Sequence, residues 1–260
     1  MIRAAFALAL LAGCPARVPP EELPPPTLDP AQLLDRAAAE PAPGPSAAAF
    51  GLSLVLPDNR VSAQGALVVS PPDRFRIEVR GPIGPPQVVI VSDGKTLTTW
   101  LAGKNLVLRE DDADGALAAY TGGKAGLESL ASLLLGRLPP LGAPELIRRA
   151  ATPGYRWSGP GESHVDVELD PRTAHLVALT LADEAGAALL SATVTGGRWP
   201  ETLEAVLPQQ GIRATLDFDA WKPAAPTDAT FVLVPPADAE VRPLLRRESP
   251  SIAPPTMQGP

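Results

Sequence analysis

The chain has 260 residues, with 22 Lys and Arg against 29 Asp and Glu, which gives a formal net charge of −7. A nucleic-acid-binding surface requires clustered Lys and Arg, so this acidic balance argues against nucleic acid as a partner. Aromatic residues make up 4% of the chain, and a single cysteine excludes an intramolecular disulfide.

The first element in chain order is an apolar leader that ends at the cysteine. The run Ala4 to Ala12 is too short to span a bilayer as a helix, but it has the length of a signal-peptide core. The sequence Leu-Ala-Gly-Cys at 11–14 matches the bacterial lipobox, in which the cysteine receives lipid. We therefore expect residues 1–13 to be a lipoprotein signal peptide. Cys14 is the expected lipid anchor, since two or more acyl chains hold a protein stably at a membrane.

Proline-rich segments flank the centre of the chain. Residues 14–30 combine the cysteine with a stretch dense in proline, which predicts an extended, semi-rigid tether. Residues 242–260 are again rich in proline, and we expect a disordered tail there. A single domain is expected between them, over 31–241, and no segment after the leader is apolar and long enough to predict a transmembrane helix.

The hydrophobic pattern of the centre predicts mostly strands. Asp29 as an N-cap and Pro30 in the first turn predict a helix over 31–39. Two more helices are predicted at 127–138 and 144–150. Short strands at hairpin spacing predict a mainly β (α+β) fold, with a single curled antiparallel sheet that forms a half-open β-barrel with a short helical lid. The predicted strands are 50–56, 63–70, 74–80, 87–92, 96–102, 105–109, 155–158, 164–169, 175–181, 188–195, 203–207, 212–218 and 230–234.

The sequence lacks the motifs that indicate catalysis or a metal site. His164 and His175 lie in predicted strands with polar neighbours, so we interpret them as solvated or cross-strand residues. There is no HExxH or CxxC pattern for zinc and no G-x-S-x-G elbow for a serine hydrolase. The acidic run 110–115 resembles an EF-hand loop but places Thr121 where the bidentate Glu belongs, which indicates a solvated turn. We expect no enzymatic activity, no cofactor and no metal. A glycosidase needs two convergent carboxylates, and the sequence alone does not exclude such a pair.

The stretch FRIEVRGPIGPPQVVI at 75–90 carries a resemblance to a known family. Together with the lipobox, the tether and an inserted helix, it resembles LolB, the outer-membrane lipoprotein that receives other lipoproteins and inserts them. In that family a strand runs into Pro-Leu-Gly, and the leucine protrudes and works in membrane insertion. Pro82, Ile83 and Gly84 take that place here. Further matching segments lie at 130–141 and 211–221 and, for the partner carrier LolA, at 231–241.

The resemblance implies a lipid-binding half-barrel that is anchored to the outer membrane at its periplasmic face. An incomplete barrel leaves an apolar concavity, in which acyl chains would bind through buried area, about 0.8 kcal/mol per methylene. Pro82, Ile83 and Gly84 would form a membrane-insertion loop. The implied partners are lipoprotein acyl chains or another lipid, a LolA-like periplasmic carrier and the outer-membrane bilayer, and we expect a monomer. The candidate cavity residues are Leu52, Leu54, Leu56, Phe75, Ile77, Val79, Leu106, Leu108, Leu130, Leu133 and Leu134.

Two other functions fit the same residues. The half-barrel could carry another lipid or glycolipid, or the chain could be a sensor or scaffold lipoprotein that binds a protein and no lipid. The apolar rows could also pack against one another as an ordinary core, and Ile83 could fold back onto the sheet. Bound lipid would separate the two lipid-binding functions from the scaffold, and crosslinking to a LolA-type carrier would separate the first from the second.

Overall fold

The structure is built mainly from β-strands. The computed structural model describes residues 29–40, 43–81, 84–120, 125–140, 145–148, 153–158 and 164–244. Its helices are α1 (Pro30–Ala39), α2 (Ala113–Tyr120) and α3 (Leu127–Leu134). Its strands are β1 (Ser46–Leu56), β2 (Asn59–Ser70), β3 (Arg74–Arg80), β4 (Pro86–Asp93), β5 (Leu97–Leu101), β6 (Leu106–Glu110), β7 (Glu145–Arg148), β8 (Pro153–Ser158), β9 (His164–Leu169), β10 (Leu176–Ala182), β11 (Ala188–Gly196), β12 (Pro200–Leu207), β13 (Ile212–Phe218), β14 (Lys222–Pro223) and β15 (Glu240–Pro243).

All of these strands belong to one sheet. Its order is β15–β6–β5–β4–β3–β2–β1–β13–β12–β11–β10–β9–β8–β7, with β14 beside β1. Neighbouring strands pair antiparallel, apart from β15, which pairs with β6 in parallel. The two end strands, β15 and β7, do not pair with each other, so the curled sheet stays open. The predicted fold class is confirmed.

The connections between strands divide the barrel into two ends. At the end that we call the tip end, short connections join consecutive strands. At the opposite end, which we call the helix end, further short connections lie beside the three helices, of which α1 precedes β1 and α2 and α3 lie between β6 and β7. The tip-end turns are 57–58, 81–85, 102–105, 183–187 and 208–211. The helix-end connections are 71–73, 94–96, 170–175 and 197–199.

Two apolar cores lie on the concave face of the sheet. The second core lies at the helix end, whereas the first runs along β8, β9 and β10 from the helix end to the tip end, where Trp157, Val165 and Leu181 are buried. In the first, Leu33 of α1 and Leu133 of α3 pack on β8 to β12. In the second, Leu127 of α3 packs on β1, β2, β3 and β5, and its side chain is fully buried. The helices therefore complete the cores that a one-sided antiparallel sheet needs.

A third core covers the convex face. The C-terminal strap, residues 228–233, crosses β3 and β4 and buries Phe231 against Val89 and Val91. The Arg74 guanidinium lies 5.0 Å from the centre of the Phe231 ring, within the range of a cation–π contact. Arg76 also donates a hydrogen bond of 3.2 Å to a backbone carbonyl of the strap. The strap is thus fixed to the outer surface of the barrel.

Local capping explains where the helices begin and end. The Asp29 carboxylate accepts hydrogen bonds from the first backbone N–H groups of α1, which confirms the predicted N-cap. The helix predicted over 127–138 ends at Leu134, because Gly136 adopts the left-handed conformation at φ +65°. The N–H of Gly136 then bonds the Leu133 carbonyl, and that of Arg137 bonds the Ser132 carbonyl, as in a Schellman motif.

Two predicted elements are wrong. Residues 145–148, predicted as part of a helix over 144–150, form strand β7, which pairs with β8. Residues 230–234, predicted as a strand, begin in the 3-10 turn Asp228–Phe231 and continue without strand pairing across the convex face. Helix α2 follows the acidic run at 110–115. No helix within the described ranges combines the length and the apolar character needed to cross a bilayer.

Candidate functional site

The concave face carries apolar rows that continue beyond the two cores toward the tip end. Strand residues alternate between faces, so Phe50, Leu52, Leu54 and Leu56 of β1 all point to the concave side. Pairing of β1 with β2 and β13 places further residues beside this row on the same face. Leu54, for example, lies between Val61 of β2 and Ala214 of β13. The result is a continuous apolar floor across several strands.

At the helix end this floor is closed by packing. Phe75 is 2% exposed, and Leu127, Ala131 and Leu135 from the α3 segment are almost fully buried above it. Phe50 also packs there, and its ring lies over Gly65, where a side chain would collide with it. This part of the concave face is an ordinary hydrophobic core.

At the tip end the floor is partly open to solvent on β1, β2 and β6, whereas on β8, β9 and β10 it is buried in the first core. Leu54, Leu56, Leu106 and Leu108 are half-buried, and none of the three cores among the described residues includes them. Val61 is 38% exposed although it is apolar. Partly exposed aliphatic rows that join a packed core are typical of a surface that binds apolar ligands.

The predicted cavity residues therefore divide into two groups. Phe75 and Leu133 are buried in cores, and Leu130 and Leu134 pack beside them. The other predicted residues lie on strands of the open floor or at its border with the second core: Leu52, Leu54, Leu56, Ile77, Val79, Leu106 and Leu108.

The predicted anchor and most of the predicted loop lie outside the described residues. These are Cys14, Pro82 and Ile83. Gly84, the last residue of the loop, is exposed and has a φ of +113°, a conformation that L side chains rarely adopt. A glycine is thus required where the chain leaves the β3–β4 turn.

Several floor residues were not among the predicted site residues. Val88 of β4 pairs with Leu101 of β5, and Leu101 pairs with Leu106, so all three share the concave face. Ile212 pairs with Leu207 on the other side of β1. Strand register, rather than any motif, brings these residues into the site. Pairing the predicted hairpins residue by residue is the signal that could have found them.

Charged side chains point away from the floor. In β3, Arg76, Glu78 and Arg80 alternate with the apolar residues and lie on the convex face. Burial alone would raise the pKa of Glu78, but hydrogen bonds from Arg80 and Arg76 outweigh it, and the pKa is lowered. At the helix end, burial raises the pKa of Asp73, and the nearby carboxylates of Asp114 and Asp93 add to the shift.

The acidic run at 110–115 has a structural role. The Asp112 carboxylate accepts a hydrogen bond from the Gly115 N–H in the first turn of α2. The Asp114 carboxylate accepts one of 2.7 Å from the Leu127 N–H at the start of α3. These are helix-capping contacts. Within the described residues, no group of three or more His, Cys, Asp or Glu side chains is placed to hold a metal ion.

Three solved structures share this fold at low sequence identity. A LolA superfamily protein from Nitrosomonas europaea is 14% identical with a TM-score of 0.53, over 79% of this chain and 98% of that chain. A DUF1329 family protein from Desulfovibrio piger is 11% identical with a TM-score of 0.54, over 78% and 95%. A domain described as an outer membrane lipoprotein-sorting protein, from Vibrio parahaemolyticus, is 14% identical with a TM-score of 0.51, over 75% and 91%.

These similarities establish the fold, a half-open barrel of the kind found in the LolA superfamily protein. No family model matches the sequence. No curated protein matches it either.

Proposed function

We propose that this protein is a membrane-anchored, non-enzymatic lipoprotein that binds acyl chains on the open floor of its barrel. In this proposal it receives lipoproteins from a LolA-like periplasmic carrier and inserts them into the outer membrane. The observation that carries the proposal is the apolar floor, which is packed under helices at one end and half-exposed at the tip end. The fold shared with LolA-type structures supports it.

The floor can bind an acyl chain through area alone. Each methylene removed from water contributes about 0.8 kcal/mol, so a chain that covers part of the floor binds without specific polar contacts. No bond is made or broken in such a transfer, so no catalytic residue is required. A handover between two carriers needs a small difference in affinity, since about 1.4 kcal/mol changes an equilibrium tenfold.

The β3–β4 turn is the proposed membrane-insertion loop. In the sequence, Ile83 stands between Pro82 and Gly84, in the segment that joins the tip ends of β3 and β4. An aliphatic side chain there would enter the bilayer while the cargo leaves the floor. We expect Ile83→Glu to retain the fold and abolish delivery, measured as the transfer of a lipoprotein to outer-membrane vesicles. Ile83→Leu is the matched control and should deliver normally, and normal delivery by Ile83→Glu would contradict the role.

Lipid bound during expression tests the proposal directly. The full chain carrying Cys14→Ser, which cannot be acylated at that residue, is purified and examined by native mass spectrometry. We expect bound lipid or lipoprotein, and the same protein should crosslink to a LolA-type carrier. Bound lipid without crosslinking would favour a carrier of another lipid. The absence of any apolar ligand, together with no binding of added fatty acid, would favour a scaffold lipoprotein and refute the proposal.

A further inference from the structure

Four hairpin turns at the tip end each carry a cation. Arg60 follows the β1–β2 turn, Arg80 precedes the β3–β4 turn, Lys104 lies in the β5–β6 turn, and Arg213 follows the β12–β13 turn. In the strand order, these four hairpins are consecutive, from β6 across to β12. The cations therefore form one row along the rim, which we call the basic rim.

Register places members of the basic rim close together. Arg60 and Arg213 both pair with Val55, one from each neighbouring strand, so they lie on the same convex face. Two strand spacings separate their Cα atoms by about 10 Å. Arg80 lies on the same face of β3, the strand next to β2.

The basic rim is exposed and partly unpaired. The side chains of Arg80 and Arg213 are 53% and 55% exposed, and their ion pairs with Glu78 and Glu204 leave them accessible. Arg60 and Lys104 are also exposed, and neither has an ion-pair partner within the described part of the chain. Arg60 and Lys104 could therefore bind an anionic group without first breaking an ion pair.

Acidic side chains mark the limits of the basic rim. Asp58 is the single acid within the four turns, and the next hairpin, β10–β11, carries Asp183 and Glu184 instead. The segment with the exposed acids Asp238 and Glu240 lies against the β5–β6 turn, through hydrogen bonds with Asn105. The helix end has more exposed carboxylates than exposed cations, although its cations include Arg36, Lys95, Arg109, Arg172, Arg198 and Lys222. Its exposed acids are Asp93, Asp111, Asp112, Asp114, Glu128, Glu201 and Asp219.

We propose that the basic rim docks the barrel on a bilayer that contains anionic lipid, with the open floor facing the membrane. The rim contacts lipid phosphates, while the acidic helix end is repelled from the same surface. Exposed Val61, beside Arg60, adds apolar contact. This inference rests on the proposed lipid-binding function, for which it supplies an orientation.

Binding to vesicles tests the basic rim. The full chain carrying Cys14→Ser is mixed with phosphatidylcholine vesicles, with or without phosphatidylglycerol, and bound protein is measured by co-flotation. Arg60→Gln with Lys104→Gln removes two rim charges. Lys95→Gln with Lys222→Gln is the matched control, since it removes two exposed charges at the helix end. All variants share residues 1–28, so any contribution from that segment is the same in each.

We expect phosphatidylglycerol and low salt to strengthen binding of the parent protein. Each lost rim cation should weaken it roughly fivefold, so the rim pair binds about 25-fold more weakly, whereas the control pair binds no more weakly than the parent. The docking proposal would be overturned if the rim variant and the control variant bound vesicles equally well. It would also be overturned if the parent protein bound vesicles with and without phosphatidylglycerol equally well. Binding of a fluorescent fatty acid, measured on the same proteins, reports the proposed function separately. It should be unchanged in all of them, and its absence from the parent would refute the lipid-binding function whatever the vesicles show.

Discussion

The helix end and the tip end of the barrel are made from the same strands, yet they differ in what covers them. Along β3, Phe75 at the helix end lies under α3 and is 2% exposed. Val79, four residues further along the same face of the strand, is only partly buried. The strand pattern is the same in both places. Along this strand, what distinguishes the core from the open floor is therefore the helix packed above it.

The two ends also differ in charge. Exposed carboxylates gather around the helices, and the basic rim lies around the opening of the floor. Both differences follow the barrel axis, as the proposed docking of the tip end on an anionic membrane requires. The predictions below test each part of this contrast, from the largest expected effect to the smallest.

Truncation at the two ends should have different effects on stability. Leu127→Ala empties a fully buried site under α3, and we expect the free energy of unfolding to fall by about 2–5 kcal/mol. Leu54→Ala removes a half-buried side chain of the floor and should cost less than about 1.5 kcal/mol. Urea denaturation measures both values. A larger loss for Leu54→Ala would mean that the floor is packed as core.

The affinity for an acyl ligand should depend on the floor at the tip end more than on the core at the helix end. Leu54→Asp places a carboxylate on the floor, and we expect the affinity for a fluorescent fatty acid to fall at least about tenfold, or 1.4 kcal/mol. Ser53→Asp is the control, since it adds the same charge to the neighbouring residue on the opposite face of β1. Equal losses in the two variants would show that the ligand does not occupy the concave face.

Two carboxylates should respond to pH with opposite signs. The lowered pKa of Glu78 stabilises the fold above its reference value of 4.5, and this contribution is lost as pH falls through the folded-state pKa. Glu78→Gln should therefore destabilise the protein at neutral pH, by less than about 1 kcal/mol, and have less effect in acid.

The raised pKa of Asp73 destabilises the fold at neutral pH, and this penalty disappears below the reference value of 3.8. Asp73→Asn should stabilise the protein slightly at neutral pH, and the gain should vanish in acid. Thermal unfolding of both variants across this pH range measures the two effects. Shifts of the same sign would contradict the difference in environment between the convex face of β3 and the helix end.

Much of this architecture could be predicted from local signals. The alternation in β3 and the Asp29 cap each depend on residues close in sequence, and the structure confirms them. The strap differs from the strand predicted at 230–234. The residue pattern there alternates as in a strand, but Phe231 packs onto the convex surface of the sheet and the segment pairs with no strand among the described residues. Helix α2 is absent from the prediction because an acidic run is typical of a solvated turn, whereas here the Asp112 carboxylate caps the helix.

The division of the floor could not be predicted in the same way. Leu54 and Phe75 both lie in alternating strands, and nothing in their own segments shows which of them α3 will cover. That depends on the position of α3 over the sheet, which is a long-range contact. The basic rim likewise becomes visible when the strand order brings Arg213 beside Arg60, residues far apart in the chain.

Photocrosslinking with a diazirine-bearing fatty acid tests the central claim most directly, because it identifies the surface that an acyl chain contacts. Peptide mass spectrometry should find label on the concave rows of the tip end, at Leu54, Val61, Val79 and Leu106. Label confined to the convex face, at Val232 or Val234, or no saturable labelling at all, would contradict an acyl-binding floor.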